Sequence, residues 1–142
     1  MREGREQAEQ DIQAIHSRME AYSLEILKVL KERREPVVHE AIIKELVNAK
    51  DRYTLAKMVL DYELPLSTRV KAIKGLKEIG ATYLRDSLKK EVERRIVVEQ
   101  MMREEEIPPR LSAPSIVMPT TGINVSIEKF VLSKIDEILT PG

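Results

Sequence analysis

The spacing of apolar residues near the start of the chain is the feature that most constrains the fold. Between residues 8 and 29 these residues recur in alternating steps of four and three, which is the spacing of a coiled-coil seam. A helix that carries such a stripe must bury it, either against a second copy of itself or against the helices that follow. The candidate self-association residues, which we call the N-terminal seam, are Ile12, Ile15, Met19, Tyr22 and Ile26.

The residues around this seam bear on what the helix packs against. A second apolar side near its C-terminal end predicts contact with the rest of the domain; it consists of Leu24, Leu27 and Leu30. The positions that flank the seam provide few opposite charges for a parallel dimer. They are His16, Ser23 and Leu30 on one side and Asp11, Arg18 and Glu25 on the other. Packing within a bundle and pairing in a coiled coil both stay open for this long first helix, which we place at residues 1–34.

Residues 35–93 contain two stretches with the same spacing of apolar residues. They are EPVVHEAIIKELVNAKDRYTLAKMVL and LPLSTRVKAIKGLKEIGATYLRDSL. At a shift of thirty positions five pairs match: Ile43 with Ile73, Lys44 with Lys74, Leu46 with Leu76, Tyr53 with Tyr83 and Met58 with Leu88. This spacing predicts an internal repeat of two helix pairs.

Each copy also carries signals for the ends of its helices. Pro36 and Pro65 fit helix starts, where the missing N–H costs nothing. We expect Ser67 or Thr68 to cap the helix that follows, and Gly80 to end it in the left-handed conformation.

The stretch PLSTRVKAIKGLKEIG resembles one helix of a HEAT-like α-repeat. It has the proline, the Val-x-x-Ile-x-x-Leu-x-x-Ile spacing and the closing glycine of that pattern. The resemblance covers residues 35–93 and implies stacked helix pairs whose exposed faces bind other macromolecules. An ordinary small helical bundle accounts for the same periodicity, so both architectures stay open.

A long helix is predicted over residues 82–106, where neither proline nor glycine interrupts the pattern. Its apolar line drifts around the helix, from Leu84 and Leu88 towards Val97 and Met101. One flat groove cannot bury a line that drifts in this way. Part of the C-terminal end should therefore face a second surface.

The tail changes character abruptly after residue 106. Four of the seven prolines lie between Pro108 and Gly122, which predicts an extended linker over residues 107–123. A helix is predicted over residues 124–140, capped by Asn124 or Ser126. It has one continuous apolar face, which we call the C-terminal face and which consists of Ile127, Phe130, Val131, Ile135, Ile138 and Leu139. The polar residues lie mainly on the other side of the helix; they are Glu128, Lys129, Ser133, Asp136 and Glu137.

Such a short helix is marginal alone in water and should dock through this face. Three destinations stay open: its own bundle, a groove on a neighbouring subunit or another protein, and a membrane surface. The last is disfavoured because Lys129 and Lys134 are too few for a basic face.

No constellation typical of catalysis or metal binding occurs in the sequence. There is no cysteine, the five glycines are scattered, and the common phosphate-loop, zinc and nucleophile motifs are missing. His16 and His39 are interpreted as solvated or half-buried helix residues rather than as ligands or bases. We therefore expect a protein that is not an enzyme, with no cofactor, no metal and no catalytic residue.

Charge and hydropathy indicate the surroundings of the protein. The charged first residues do not resemble a signal peptide, and no apolar run approaches the ~20 residues that span a bilayer. We expect a cytoplasmic protein without a membrane partner. Abundant Lys and Glu with few labile amides are typical of a thermophilic source.

Residues 69–95 form a basic window, although the 24 basic and 24 acidic residues of the whole chain balance. Lys71, Lys74 and Lys77 lie on one third of a predicted helix and are the candidate nucleic-acid contacts. The usual cause of such a window is a solvated face with internal ion pairs.

The sequence therefore predicts an all-α protein with a helical core over residues 1–106, either a small bundle or a short HEAT-like array. A long N-terminal helix precedes the helix pairs, and a tethered amphipathic helix follows them. The expected function is a non-enzymatic protein–protein interaction or assembly module that docks its C-terminal helix on a neighbouring subunit or a separate protein, with the six residues of the C-terminal face as the anchors. The expected partner is another protein or further copies of the chain, bound through the C-terminal helix or the N-terminal helix. The alternative is a small regulatory protein that binds nucleic acid through the basic window.

Overall fold

The computed structural model describes residues 2–106 and 123–141, and within these residues the only regular structure is helical. The prediction of an all-α bundle is confirmed. The helices are α1 (Arg2–Glu32), α2 (Pro36–Asn48), α3 (Arg52–Leu60), α4 (Leu66–Glu78), α5 (Arg85–Glu106) and α6 (Val125–Ile138), with a short 3-10 turn at Thr82–Leu84. The predicted linker lies outside the described residues except for Ile123. None of the described helices has the length and apolar character needed to cross a bilayer.

Helices α2 and α4 match each other closely. Both have 13 residues, and they begin thirty positions apart, at Pro36 and Leu66. Both end in a left-handed residue, Lys50 with φ 55° and Gly80 with φ 80°. In both helices the N–H of the residue after the left-handed one donates to a carbonyl in the last turn. In α2 this hydrogen bond runs from the Asp51 N–H to the Leu46 carbonyl, at 2.9 Å. This is the Schellman arrangement, in which a left-handed residue lets two late N–H groups satisfy helix carbonyls.

The predicted cap at Ser67 or Thr68 is wrong. Pro65 occupies the N-cap position of α4, and its carbonyl accepts a hydrogen bond from the Arg69 N–H at 3.1 Å. Thr68 therefore lies inside the helix, where its hydroxyl contacts Nδ1 of His39 at 2.7 Å.

His39 is fully buried rather than solvated or half-buried. Its Nε2 lies 2.8 Å from the carbonyl of Leu30 and 2.6 Å from that of Arg33, at the end of α1. A carbonyl only accepts, so Nε2 carries a proton, and in the neutral ring Nδ1 accepts from the Thr68 hydroxyl. The imidazole caps the last turn of α1 and fixes it to α2 and α4, which is a structural role.

The core lies around α4, which packs against α2, α3 and α6. Helix α6 also packs along α5, so the end of the chain closes one side of the bundle. Only the C-terminal third of α1 joins this core: Leu27 and Leu30 are buried, and the Ser23 hydroxyl lies 2.7 Å from that of Thr54 on α3. The rest of α1 extends beyond the bundle.

Candidate protein interaction surfaces

The projecting part of α1 is the first candidate surface. Every residue from 6 to 22 is exposed, over a length of about 25 Å at 1.5 Å per residue. The N-terminal seam lies on this segment, with Ile12 58% and Ile15 53% exposed and with Met19 and Tyr22 also open to solvent. Ile26, nearer the bundle, is partly buried. Within the part of the chain that the structure describes, the first four seam residues all stay exposed to solvent.

A groove lies where α1 leaves the bundle. It has a volume of about 640 Å³ and is bounded on the α1 side by His16, Met19 and Tyr22. Its other wall is the corner between α2 and α3, at residues 49–53, together with Ala56 and Leu84. The groove therefore continues the apolar seam down to the base of the projecting helix.

The C-terminal face of α6 is largely occupied by its own chain. Val131, Ile135 and Leu139 are fully buried in the core, and Ile138 is partly buried against it. Ile127 and Phe130 lie at the edge of this face and stay exposed, Phe130 to 43%. The side chain of Asn124 accepts a hydrogen bond from the Ile127 N–H at 3.2 Å and caps the helix, as one of the two predicted caps. In this conformation the buried part of the face is unavailable to a partner.

A buried ion pair fixes α6 to the bundle. The guanidinium of Arg69 on α4 donates to both carboxylate oxygens of Glu128 on α6, at 2.5 and 2.9 Å. Sequence reasoning missed this pair, because it placed Arg69 in the basic window and Glu128 on the polar side of its helix. The two residues are 59 positions apart, and no local pattern connects them.

Most cations of the basic window pair with carboxylates of the same chain. Besides Arg69 with Glu128, the pairs are Lys71 with Glu40, Arg85 and Lys89 with Asp136, and Arg94 and Arg95 with Glu91. The hydrogen bond from Lys71 lowers the pKa of the Glu40 carboxyl below its ordinary value. Of the candidate nucleic-acid contacts, Lys74 and Lys77 are exposed, whereas Lys71 is half-buried.

The end of α5 carries a smaller apolar surface. Val97, Val98 and Met101 are exposed there, and Met102 is half-buried. These are the residues for which the drifting apolar line predicts a second surface. Val92 and Ile96, which precede them on the same helix, are buried in the core.

Among the side chains that the structure describes, at residues 6–102 and 123–141, no three of His, Cys, Asp or Glu come together in a way that could hold a metal ion. Comparisons of the chain with protein-family models, with curated proteins and with solved structures gave no match. The exposed seam, the groove beside it and the closed C-terminal helix are therefore the observations that bear on function.

Proposed function

We propose that this protein is a non-enzymatic protein–protein interaction or assembly module whose main contact surface is the N-terminal seam. The exposure of that seam on the projecting part of α1 is the observation that carries the proposal. Isolated apolar residues on a surface need no explanation, but a continuous stripe at coiled-coil spacing is costly to leave in water. A partner that covers the stripe removes this cost.

The position of α6 favours α1 over the C-terminal helix as the contact. Docking α6 on another subunit requires Val131 and Ile135 to leave the core and Glu128 to leave Arg69. Separating a buried charge from its partner costs several kcal/mol unless an equivalent partner replaces it. The exposed seam requires no such rearrangement.

The HEAT-like interpretation of residues 35–93 belongs to the same proposal. Its support is the equal length of α2 and α4, their start thirty positions apart, and the left-handed residue that ends each. An interaction role also agrees with the function that this resemblance implies.

A cytoplasmic location and a thermophilic source complete the proposal. Asp136 binds both Arg85 and Lys89, and Lys31 lies 3.0 Å from Asp61 and 3.2 Å from Glu63. Networks of this kind stabilise proteins more at high temperature than at 25 °C, because the cost of desolvating charges falls as temperature rises.

Site-specific photo-crosslinking in the producing cells tests the contact surface. A photoreactive amino acid replaces Ile15 in the seam, and the control carries it at Ser17, on the opposite side of the same exposed helix. We expect crosslinks to protein from position 15 and few from position 17. Equal yields from the two positions contradict the proposal.

Nucleic-acid binding through the basic window is the alternative function, and the exposure of Lys74 and Lys77 is what favours it. The internal pairing of most other cations in the window weakens it. Titration of labelled RNA and DNA at two salt concentrations, with Lys74→Glu and Lys77→Glu as the variant, decides between the two functions. Salt-sensitive binding that this variant abolishes supports the alternative.

A further inference from the structure

We infer that the occupant of the N-terminal seam is a second copy of this chain that runs antiparallel to the first. This inference rests on the proposed function and adds the identity, direction and register of the partner. In the inferred register, Ile12 of one copy lies opposite Ile15 of the other, so the two-fold axis passes between residues 13 and 14.

The core of this pairing follows from the heptad positions. Ile12 and Met19 occupy the a positions of the seam, whereas Ala8, Ile15 and Tyr22 occupy the d positions. In antiparallel pairs an a residue faces a d residue of the other helix. The register therefore packs isoleucine on isoleucine at the centre and sets the long, flexible Met19 over the small Ala8 on either side.

The charges beside the seam select the antiparallel direction. This register brings Asp11 of one copy next to Arg18 of the other, and Glu9 next to His16. Symmetry makes each contact occur twice. All four residues are exposed. Asp11 accepts a hydrogen bond at 3.1 Å from Gln7, a neutral side chain that brings no compensating charge.

A parallel dimer uses the same residues poorly. It also sets a carboxylate, that of Asp11, against His16, but it faces Arg18 with Ser23 instead of a carboxylate, and Ser23 is already buried against Thr54 in the bundle. It also places both bundles at the same end of the helix pair. The antiparallel arrangement places them at opposite ends.

The geometry of the projecting helix fits this pairing. In the inferred register, Arg2 of one copy lies at the height of Glu25 of the other, so the overlap is about 24 residues, or more than three heptads. The bundle of each copy then meets the N-terminal end of the other copy. The groove of about 640 Å³ beside Met19 and Tyr22 lies at this meeting point. The first turns of the second copy run alongside it.

Disulfide trapping in the full chain tests direction and register, since the native sequence has no cysteine. Chains with Ala8→Cys are mixed with chains with Met19→Cys and oxidised mildly. We expect a mixed disulfide between the two chains. In a parallel dimer these positions lie about 16 Å apart along the helix axis, too far for a disulfide, and each variant crosslinks to itself instead. Ala14→Cys, off the seam, is the control and should not crosslink.

Charge exchange provides an independent test. Light scattering during size-exclusion chromatography, over a range of concentrations, gives the dimer dissociation constant. Asp11→Arg and Arg18→Asp should each raise it about tenfold, because each change turns two attractive contacts into repulsive ones. The double variant should return towards the native value, and an equal mixture of the two single variants should form heterodimers. Circular dichroism checks that helix content is unchanged.

The possible failures are distinguishable. Self-crosslinking of Ala8→Cys, or a double variant as weak as the single ones, overturns the antiparallel inference but leaves α1 as the contact. A native chain that stays monomeric at millimolar concentration overturns self-association. Photo-crosslinks from position 15 to a different protein would then still support the proposed function.

Discussion

Arg69 of α4 and Glu128 of α6 form a two-pronged ion pair that the surrounding helices enclose, with the two side chains 0% and 1% exposed. The Nε of Arg69 also donates to the carbonyl of Val59 at 2.8 Å, near the end of α3. One guanidinium therefore joins three helices. All of its polar partners come from the chain itself, which satisfies the requirement that a buried charge be paired and hydrogen-bonded.

Removing one member of this pair should be strongly destabilising. We expect Glu128→Ala to lower the free energy of unfolding by about 3–5 kcal/mol, because it leaves the Arg69 charge buried and unpaired. Replacing both residues, as Arg69→Met with Glu128→Leu, should cost less than the single change. Guanidinium denaturation measures both. Glu137→Ala, an exposed change on the same helix, is the control. A Glu128→Ala variant as stable as this control would show that the pair is not enclosed.

The C-terminal face should divide into a core part and a surface part. Ile135→Ala is expected to cost about 2–5 kcal/mol, because it opens a cavity at a fully buried position. Phe130→Ala should cost about 1 kcal/mol or less, because that ring is 43% exposed. Urea denaturation at two protein concentrations compares them. If α6 docked on a neighbouring subunit, the loss for Ile135→Ala would depend on protein concentration.

Acid should weaken the attachment of α6 to α5. Hydrogen bonds from Arg85, and then from Lys89, hold the pKa of the Asp136 carboxyl below its ordinary value. The pKa of Asp136 is lower in the folded than in the unfolded chain, so its contribution to stability is complete above the unfolded pKa of about 4. It is lost as the pH falls through the folded value.

The comparison of native chain and Asp136→Asn isolates this effect. Their urea midpoints should differ at pH 7, and the difference should shrink below about pH 4 and vanish at lower pH. Glu137→Gln, at the next position and more exposed, should show a smaller difference at pH 7. A difference between native chain and Asp136→Asn that is constant from pH 7 to pH 2 would contradict the assignment.

The matching ends of α2 and α4 predict opposite effects of two substitutions. Lys50→Gly should stabilise the protein by about 0.5–1 kcal/mol, because a left-handed φ of 55° suits glycine better than lysine. Gly80→Lys should destabilise it by about 1 kcal/mol at a φ of 80°. Thermal unfolding measures both. Ala49→Gly, where φ is −80°, is the control and should destabilise. Stabilisation by both glycine variants would point to a cause other than the left-handed backbone.

Local signals located most of the helices correctly. The proline at position 36 marks the first residue of α2, Gly80 follows the end of α4 in the left-handed conformation, and Asn124 caps α6. Each of these signals acts within one turn of the backbone, so a short stretch of sequence contains all the relevant atoms. The prediction of a cap at Ser67 or Thr68 failed because several residues in that turn were plausible caps. Pro65 is the N-cap, and the hydroxyl of Thr68 instead bonds to His39, which is distant in sequence.

Buried polar residues were the least predictable feature of the fold. His39 was expected to be solvated or half-buried, and Glu128 was assigned to the polar side of its helix; both are enclosed. A polar side chain can be buried when distant groups complete its hydrogen bonds, as Leu30 and Thr68 do for His39. Those partners come from other helices, which a periodicity along one helix does not reveal.

The sequence by itself determined the all-α class, the long first helix with its heptad seam, and the apolar face of the last helix. Periodicity was sufficient because it reports which residues share one side of a helix. Only the tertiary structure decided which of these faces is covered. The C-terminal face packs into the core with Glu128 against Arg69, whereas the seam extends past the bundle from Tyr22 towards the N-terminus. The physical reason is that a face is buried only where the fold brings another helix against it. That helix must also supply hydrogen-bond partners for any polar side chain that is buried with the face.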